Sequence, residues 1–353
     1  AGEKFLPSRF SERWRDEVED RSNEIISQYN LKVCRSYRAR GGMVLETDQG
    51  LKFLSPCRAS ERRLEFEDAL KQQIREHGYR NIDRGLRSAE QKLAVSNSIG
   101  ERYCIRDWFG YEECSLRHEE SVLAAAENLA RLHLAMSGIH LPDDSASFVE
   151  EKLLCTAERR NRELKRVQSF LGRRKNKTAF EVRYLNCCGA FYEEAVRAAE
   201  ALKALKTEEW LEQTVACGHV MHGSYTYHNI LTETCGGRMA CGTGRIATVN
   251  FDRAVFGFQV SDLYQYMRKV MEKNGWQLML GQKLLAAYEK VRALSGKERQ
   301  LLIVLLSYPE KFWKVTNYYY NSRKSLIPQK NMEKLEMLLA QQVQKAEFLR
   351  RLN

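Results

Sequence analysis

HGSYTYHNIL, residues 222–231, and RIATVNFD, residues 245–252, hold the polar pattern around which this 353-residue chain is organised. The first segment opens on His222-Gly223, turns, and sets Asn229 just ahead of the apolar Ile230 and Leu231. The second runs Ile246-Ala247-Thr248-Val249, rich in β-branched residues, and ends Asn250-Phe251-Asp252. Gly236, Gly237, Gly242 and Gly244 lie between them, so the spacing predicts a loop, a strand, a turn and a returning strand.

Working outward toward the N-terminus, residues 31–55 read as three antiparallel strands: LKVCRSY, MVLET and LKFLS. Asp48-Gln49-Gly50 is a hairpin turn, with glycine where a positive φ is needed. Arg38-Ala39-Arg40-Gly41-Gly42 is a second tight turn, lacking a GxGxxG pattern. A helix is predicted over 59–78, closed by Gly78. QKLAVSN (91–97) and ERYCIRDW (101–108) then read as two further strands, and Asp107-Trp108-Phe109-Gly110 as the crossing to a larger domain, with Trp108 and Phe109 packing. An amphipathic stripe predicts a helix over 9–29, with Trp14, Val18, Ile25 and Tyr29 on one face.

On the C-terminal side, 117–138 reads as a helix with Val122, Leu129, Leu132 and Leu134 at apolar positions and His133 as a core histidine. Residues 148–206 read as further helices, with ERRNRELKRVQSFLGRRKNKT highly charged and exposed. The last 75 residues read as helical, with Phe312, Trp313 and Tyr318 to Tyr320 packed in a core. The expected boundaries are a helical extension (1–30), a small domain of five strands and one helix (31–109) and a helical domain (110–353).

Hydrophobic content of 43% and charged content of 29% describe a soluble globular chain. Net charge is +11, but bases alternate with acids apart from runs such as GRRKNK (172–177), and no nucleic-acid motif occurs, so a solvated surface is expected. The ten cysteines form no CxxC pair and no zinc-type cluster; they read as reduced thiols, with Cys235 and Cys241 flanking the central turn. No signal-peptide pattern and no apolar run near 18 residues occurs, so no transmembrane segment is expected.

The ordered set of segments resembles the kinase-like spore-coat proteins of the CotS type, relatives of aminoglycoside phosphotransferases and choline kinases. LKFLSPC (51–57) is similar to the strand that carries their phosphate-binding lysine, RYCIRDWFGYEE (102–113) to their hinge, SDLYQYMRKV (261–270) to the helix that braces their catalytic loop, and YPEKFWKVTNYYYNSRKS (308–325) to a coat-family signature. The family's loop reads His-Gly-Asp-x-x-x-x-Asn and its strand ends Ile-Asp-Phe-Asp or Ile-Asp-Phe-Glu. The resemblance implies an α+β, protein-kinase-like fold of two lobes, with the site segment at 222–252. It also implies weak nucleotide or hinge roles for Arg106, Asp107 and Trp108, bracing roles for His222 and Asp262, and coat or sporulation proteins as partners. The implied location is the mother-cell cytoplasm, the spore coat or both.

Three departures fall on the chemistry. The family's base is matched by Ser224, its first metal ligand by Asn250 and its lysine by Ser55. A serine hydroxyl is a poor proton acceptor near neutral pH, and an asparagine offers a metal only a neutral carbonyl. Lys52 differs in parity from Ser55 and so faces the other side of the strand. Losing a general base costs about 10²–10⁴ in rate, and losing an electrostatic clamp about 10²–10³ more. The resemblance thus implies a pseudokinase without a cofactor, in which neither Glu65 nor Glu67 finds its usual cation and both stay solvated. The alternative is an atypical Mg-ATP-dependent phosphotransferase with Asn229 and Asp252 as its metal ligands.

Overall fold

The computed structural model describes residues 22–39, 41–141, 147–235, 238–239, 246–321 and 328–352. Only the end of the helix expected at 9–29 falls among them, and it is helical over 22–26. The proposed neighbours Cys235 and Cys241 lie outside what is described, Cys241 entirely and Cys235 in its side chain. The chain divides into two units. The first comprises Ala1–Glu112, Leu231–Ala240 and Arg245–Asp252; the second comprises Glu113–Ile230, Cys241–Gly244 and Arg253–Asn353.

In the first unit β1 (Val33–Ala39), β2 (Gly42–Thr47), β3 (Gly50–Pro56), α1 (Glu61–Glu76), β4 (Val95–Ser96) and β5 (Arg102–Asp107) follow one another. The strands form one antiparallel sheet in the order β1-β2-β3-β5-β4. Gly50, at φ +85°, supplies the backbone conformation that the β2–β3 turn requires. The strand expected at 91–97 shortens to β4, because Gln91 adopts φ +64° and Ser88 and Lys92 close a turn.

Cross-strand register sorts the two faces of this sheet. Leu54 opposes Ile105, and with Leu45, Val95, Ile25 and Tyr29 they form one buried cluster. Ser55 opposes Cys104 and Phe53 opposes Arg106, so these four share the other face. There Cys57 and Cys104 pack with Leu64 of α1. Helix α1 starts at Ser60, whose hydroxyl accepts from the Arg63 N–H. Its buried stripe reads Leu64, Glu67, Leu70, Lys71, Ile74, an apolar helical face interrupted by two charges.

The chain continues through β6 (Glu112–Glu113), α2 (Glu119–Ala135), α3 (Leu153–Arg173), α4 (Ala179–Ala204), α5 (Thr207–Ala216), β7 (Val220–Met221), β8 (Ile230–Thr232), β9 (Thr234–Cys235), β10 (Arg238–Met239), β11 (Ile246–Thr248) and β12 (Val255–Phe256). Helices α6 (Gln259–Lys273), α7 (Leu278–Glu289), α8 (Gly296–Ser307), α9 (Glu310–Asn321), α10 (Pro328–Ala340) and α11 (Gln342–Leu352) complete it. Strands β6, β8 and β11 make a three-stranded sheet. In the first unit Leu231, Ala247 and Val249 are buried under Trp108, Phe109 and Tyr111.

The second unit is mainly helical, with α2 packed on α7 and α3 on α4. Helix α4 is started by a reciprocal cap between Thr178 and Glu181. Phe312 is buried and stacks on Tyr184 and Phe191, at 5.2 and 4.2 Å between ring centres. Two apolar expectations are corrected: Leu134 is exposed because the buried face of α2 runs through Val122, Ala126, Leu129 and His133, and Tyr318 is exposed because α9 buries Phe312, Val315 and Thr316.

Candidate functional site

The 222–230 loop belongs to the second unit and is built around one buried carboxylate. Asp262 stands in the first turn of α6, where the helix N-terminus favours negative charge. Its Oδ2 accepts the His222 N–H at 2.6 Å and its Oδ1 the Gly223 N–H at 2.9 Å. His133 Nε2 lies 3.3 Å from the same carboxylate, and its Nδ1 lies 2.7 Å from the Tyr288 hydroxyl. Burial depresses the His133 pKa, so the neutral ring is favoured, and donating to Asp262 while accepting from Tyr288 satisfies both nitrogens. Arg292 donates to Tyr288 in turn, at 3.1 Å.

Above this brace the backbone is tightly held. Gly223 has φ +72°, and a Cβ there would sit 2.1 Å from the Arg253 carbonyl oxygen. His222 is fully buried, and its Nδ1 accepts the Ser224 N–H at 3.2 Å. The Asn229 amide donates to the Ser224 carbonyl at 2.9 Å and lies 3.2 Å from the Ser224 hydroxyl. Ser224 therefore carries a hydroxyl tied to an amide, and residues 222–231 contain no carboxylate. Tyr225 is buried, with its hydroxyl donating to Ala125 O and accepting from Asn128.

The other site residues belong to the first unit. Ser55 Oγ lies 3.6 Å from Cys104 Sγ. Glu67 is not solvated as expected: it is 3% exposed and faces two cations, Lys71 Nζ at 3.3 Å and Arg106 at 3.7 Å. Both cations also meet the buried Asp83, at 3.1 and 3.5 Å. Glu65 points outward to Arg87 at 2.7 Å. The group Glu67, Lys71, Asp83 and Arg106 sums to zero charge, as a buried set must if it is to survive desolvation. Arg106 extends from β5 on the face that holds Ser55, so the cation facing Glu67 comes from β5 and from α1 itself.

Asp83 also fixes the end of the β11 segment. Its Oδ2 accepts the Asn250 N–H at 3.0 Å, and Asn250 adopts φ +66°, a conformation asparagine tolerates better than most residues. Arg63 donates to the Phe251 carbonyl at 2.9 Å. Asp252 is exposed; burial lowers the pKa of the Arg63 guanidinium, and the charges of Glu67 and Asp252 partly oppose that shift. Lys52 lies on the face opposite Ser55, bound to Asp107 at 2.7 Å. Asp107 also binds Arg84 at 2.8 Å. The Asp107 and Trp108 N–H groups donate to Arg84 O and Leu51 O, and the Trp108 ring stacks on Phe53 with centres 4.5 Å apart.

Lys71, Asp83 and the His133–Tyr288 link carried no motif. The two charges in the apolar stripe of α1 were a readable signal for Glu67 and Lys71. Nothing local marks Asp83, which acts on Asn250 across 167 residues of sequence.

A five-stranded antiparallel sheet beside one helix, a braced His-Gly loop and a strand ending Asn-Phe-Asp define a kinase-like fold. Solved structures agree. An aminoglycoside phosphotransferase from Alicyclobacillus acidocaldarius matches with TM-score 0.81 at 15% identity, over 100% of this chain and 96% of that one. Spectinomycin phosphotransferase APH(9)-Ia, in complex with ADP and spectinomycin, matches with TM-score 0.61 at 9% identity, over 93% and 98%. A microcompartment-associated aminopropanol kinase matches with TM-score 0.57 at 12% identity, over 96% and 98%. At these identities the likeness shows the fold alone. The family described as "Spore coat putative kinase YutH" matches residues 22–352, and the chain belongs to it. Comparison with curated protein sequences returned no match. Among the described residues no helix is long and apolar enough to cross a membrane.

Proposed function

We propose that this spore-coat family member has given up phosphoryl transfer and acts as a scaffold or interaction module, held by coat or sporulation proteins in the mother-cell cytoplasm, the assembling coat or both. The observation that carries this reading is Ser224, a hydroxyl tied to the Asn229 amide where the family's loop has a carboxylate base. Two further features support it. Lys71 and Arg106 are already matched by Glu67 and Asp83, so neither is a spare cation for a phosphate. The positions at which the resemblance implies metal ligands carry one carboxylate, Asp252, and two amides, Asn229 and Asn250, residue types that match poorly an ion that relies on carboxylates and phosphate oxygens. Meanwhile the brace beneath the loop is complete, which preserves shape without chemistry.

The second reading, an atypical Mg-ATP-dependent small-molecule transferase, rests on Asp252, whose carboxylate is exposed. The Asn229 amide nitrogen is engaged with Ser224, which leaves its Oδ1 as the atom to meet a metal. Such a ligand set would neutralise phosphate charge through the ion. Thermal unfolding with and without Mg-ATP separates the two. A ligand at 100 times its Kd adds about 2.7 kcal/mol, a rise of several degrees. The scaffold reading expects no rise and no ATP turnover. It also expects an Asp252→Ala chain to support coat assembly in a sporulating host as well as the parent does. Turnover that vanishes in Asp252→Ala would overturn it.

A further inference from the structure

Residues 159–177 contain nine Lys or Arg and one Glu, a net charge of +8 out of +11 for the whole chain. The basic run noted at 172–177 thus extends back to residue 159, within the segment expected to be highly charged and exposed, and the structure shows what that segment presents. Arg162, Lys165, Arg166, Ser169, Phe170 and Arg173 are spaced as one face of α3, and all are exposed. They line an open groove of about 710 Å³.

Neighbouring cations of the same run are engaged: Arg159 with Glu151, Arg160 with Glu310, and Arg174 with the buried Glu181. Among the described residues no carboxylate pairs with Arg162, Lys165, Arg166 or Arg173. Phe170, 58% exposed, sits between them and meets Tyr320 edge-on, with ring centres 6.3 Å apart. The face thus has an aromatic foothold held against a neighbour and four unneutralised cations around it.

We infer that this face of α3 binds an acidic polypeptide segment that carries an apolar side chain for Phe170. Charge complementarity names the sign of the partner. From residue 162 to 173 the helix rises about 16 Å, the length of roughly five residues of extended chain, so a short run of Asp or Glu reaches every cation. Three of the four cations are arginines, whose planar fork matches carboxylates in pairs, and Arg with an exposed aromatic is the composition of an interface centre. Single-stranded nucleic acid is the weaker fit, because its binding surfaces stack successive bases on several open aromatic rings, whereas here only Phe170 is exposed and the neighbouring Tyr320 and Tyr192, the latter beneath Lys165, are half-buried. A second copy of this chain is disfavoured by the like charge of the two molecules. The surface would serve a scaffold, but an active transferase could carry it equally, so the inference stands apart from the question of turnover.

The test is fluorescence anisotropy on the full chain at two salt concentrations. The probes are a fluorescein-labelled acidic peptide with one central leucine, the same peptide without the leucine, and a single-stranded oligonucleotide of equal charge. The leucine peptide binds tightest, and its affinity falls about tenfold or more in Arg162→Glu/Arg166→Glu. Phe170→Ala weakens the leucine peptide by several-fold and leaves the leucine-free peptide unchanged. These residues are exposed, and circular dichroism confirms that the variants fold. Peptide affinity that is unchanged in the charge reversal overturns the inference, as does tighter binding of the oligonucleotide than of either peptide.

Discussion

Restoring the missing lysine is the sharpest test of how the first unit is built. Ser55→Lys places an ammonium on the sheet face that already presents Arg106, beside a buried set of two cations and two carboxylates. Each contact in that set spans between 3.1 and 3.7 Å. At an effective dielectric of about 20, one such contact is worth roughly 4–5 kcal/mol before desolvation is subtracted. Among the described residues both carboxylates of that set are already paired, so Ser55→Lys should lose about 3–5 kcal/mol rather than gain activity. Arg106→Met should lose a similar amount, because Glu67 and Asp83 then share Lys71 alone. The double variant should recover most of both losses, since the new lysine takes the place of Arg106. The coupling would be several kcal/mol, well above the roughly 0.3–0.5 kcal/mol scatter of independent sites. Urea unfolding followed by tryptophan fluorescence reads this directly, with single-variant midpoints about 1 M lower. If Ser55→Lys is as stable as the parent, or if the two losses simply add, Arg106 does not occupy the lysine's place.

Three further outcomes follow from the second unit. Gly223→Ala combines a left-handed backbone with a Cβ 2.1 Å from the Arg253 oxygen, so it should cost at least about 2 kcal/mol in urea unfolding; a neutral substitution would mean that the loop can shift. Asp262→Asn replaces a carboxylate that accepts from two backbone N–H groups and should cost about 2–4 kcal/mol, with faster hydrogen exchange at His222 and Gly223; unchanged exchange would place the brace elsewhere. Burial pushes the Glu150 carboxyl up to about 7, against the N–H of Phe258 and the hydroxyl of Ser261, which favour its charged form. Because its folded pKa lies above the unfolded value, the protonated form stabilises the fold below about pH 4.5, and that contribution disappears as pH rises through 7. Glu150→Gln should therefore flatten the pH dependence of stability between those values, by an amount on the order of 1–3 kcal/mol; an unaltered profile would refute the assignment.

Much of the fold was legible because it is written in short-range pattern. Turn residues at Asp48-Gln49-Gly50 set the β2–β3 hairpin, and the period-two alternation of β3 put Lys52 and Ser55 on opposite faces. The substitutions at Ser55, Ser224 and Asn250 are likewise visible in order along the chain. The strand at 91–97 was overestimated because a positive φ at Gln91 leaves no mark in apolar patterning.

What tertiary structure alone decided is which charges meet. Glu67 was left without a cation by reading along α1 and β3, yet the register of β3 against β5 brings Arg106 to it, and Asp83 closes the set. His133 looked like a core residue and is one, but only the approach of α2, α6 and α7 makes it the link between Tyr288 and Asp262. The exposed face of α3 depends in the same way on which side of that helix α4 covers. Local pattern determines element type because backbone sterics and side-chain period act over a few residues. Pairing of buried charges depends on distances of a few ångströms between residues far apart in sequence, and those distances exist only once the elements have packed.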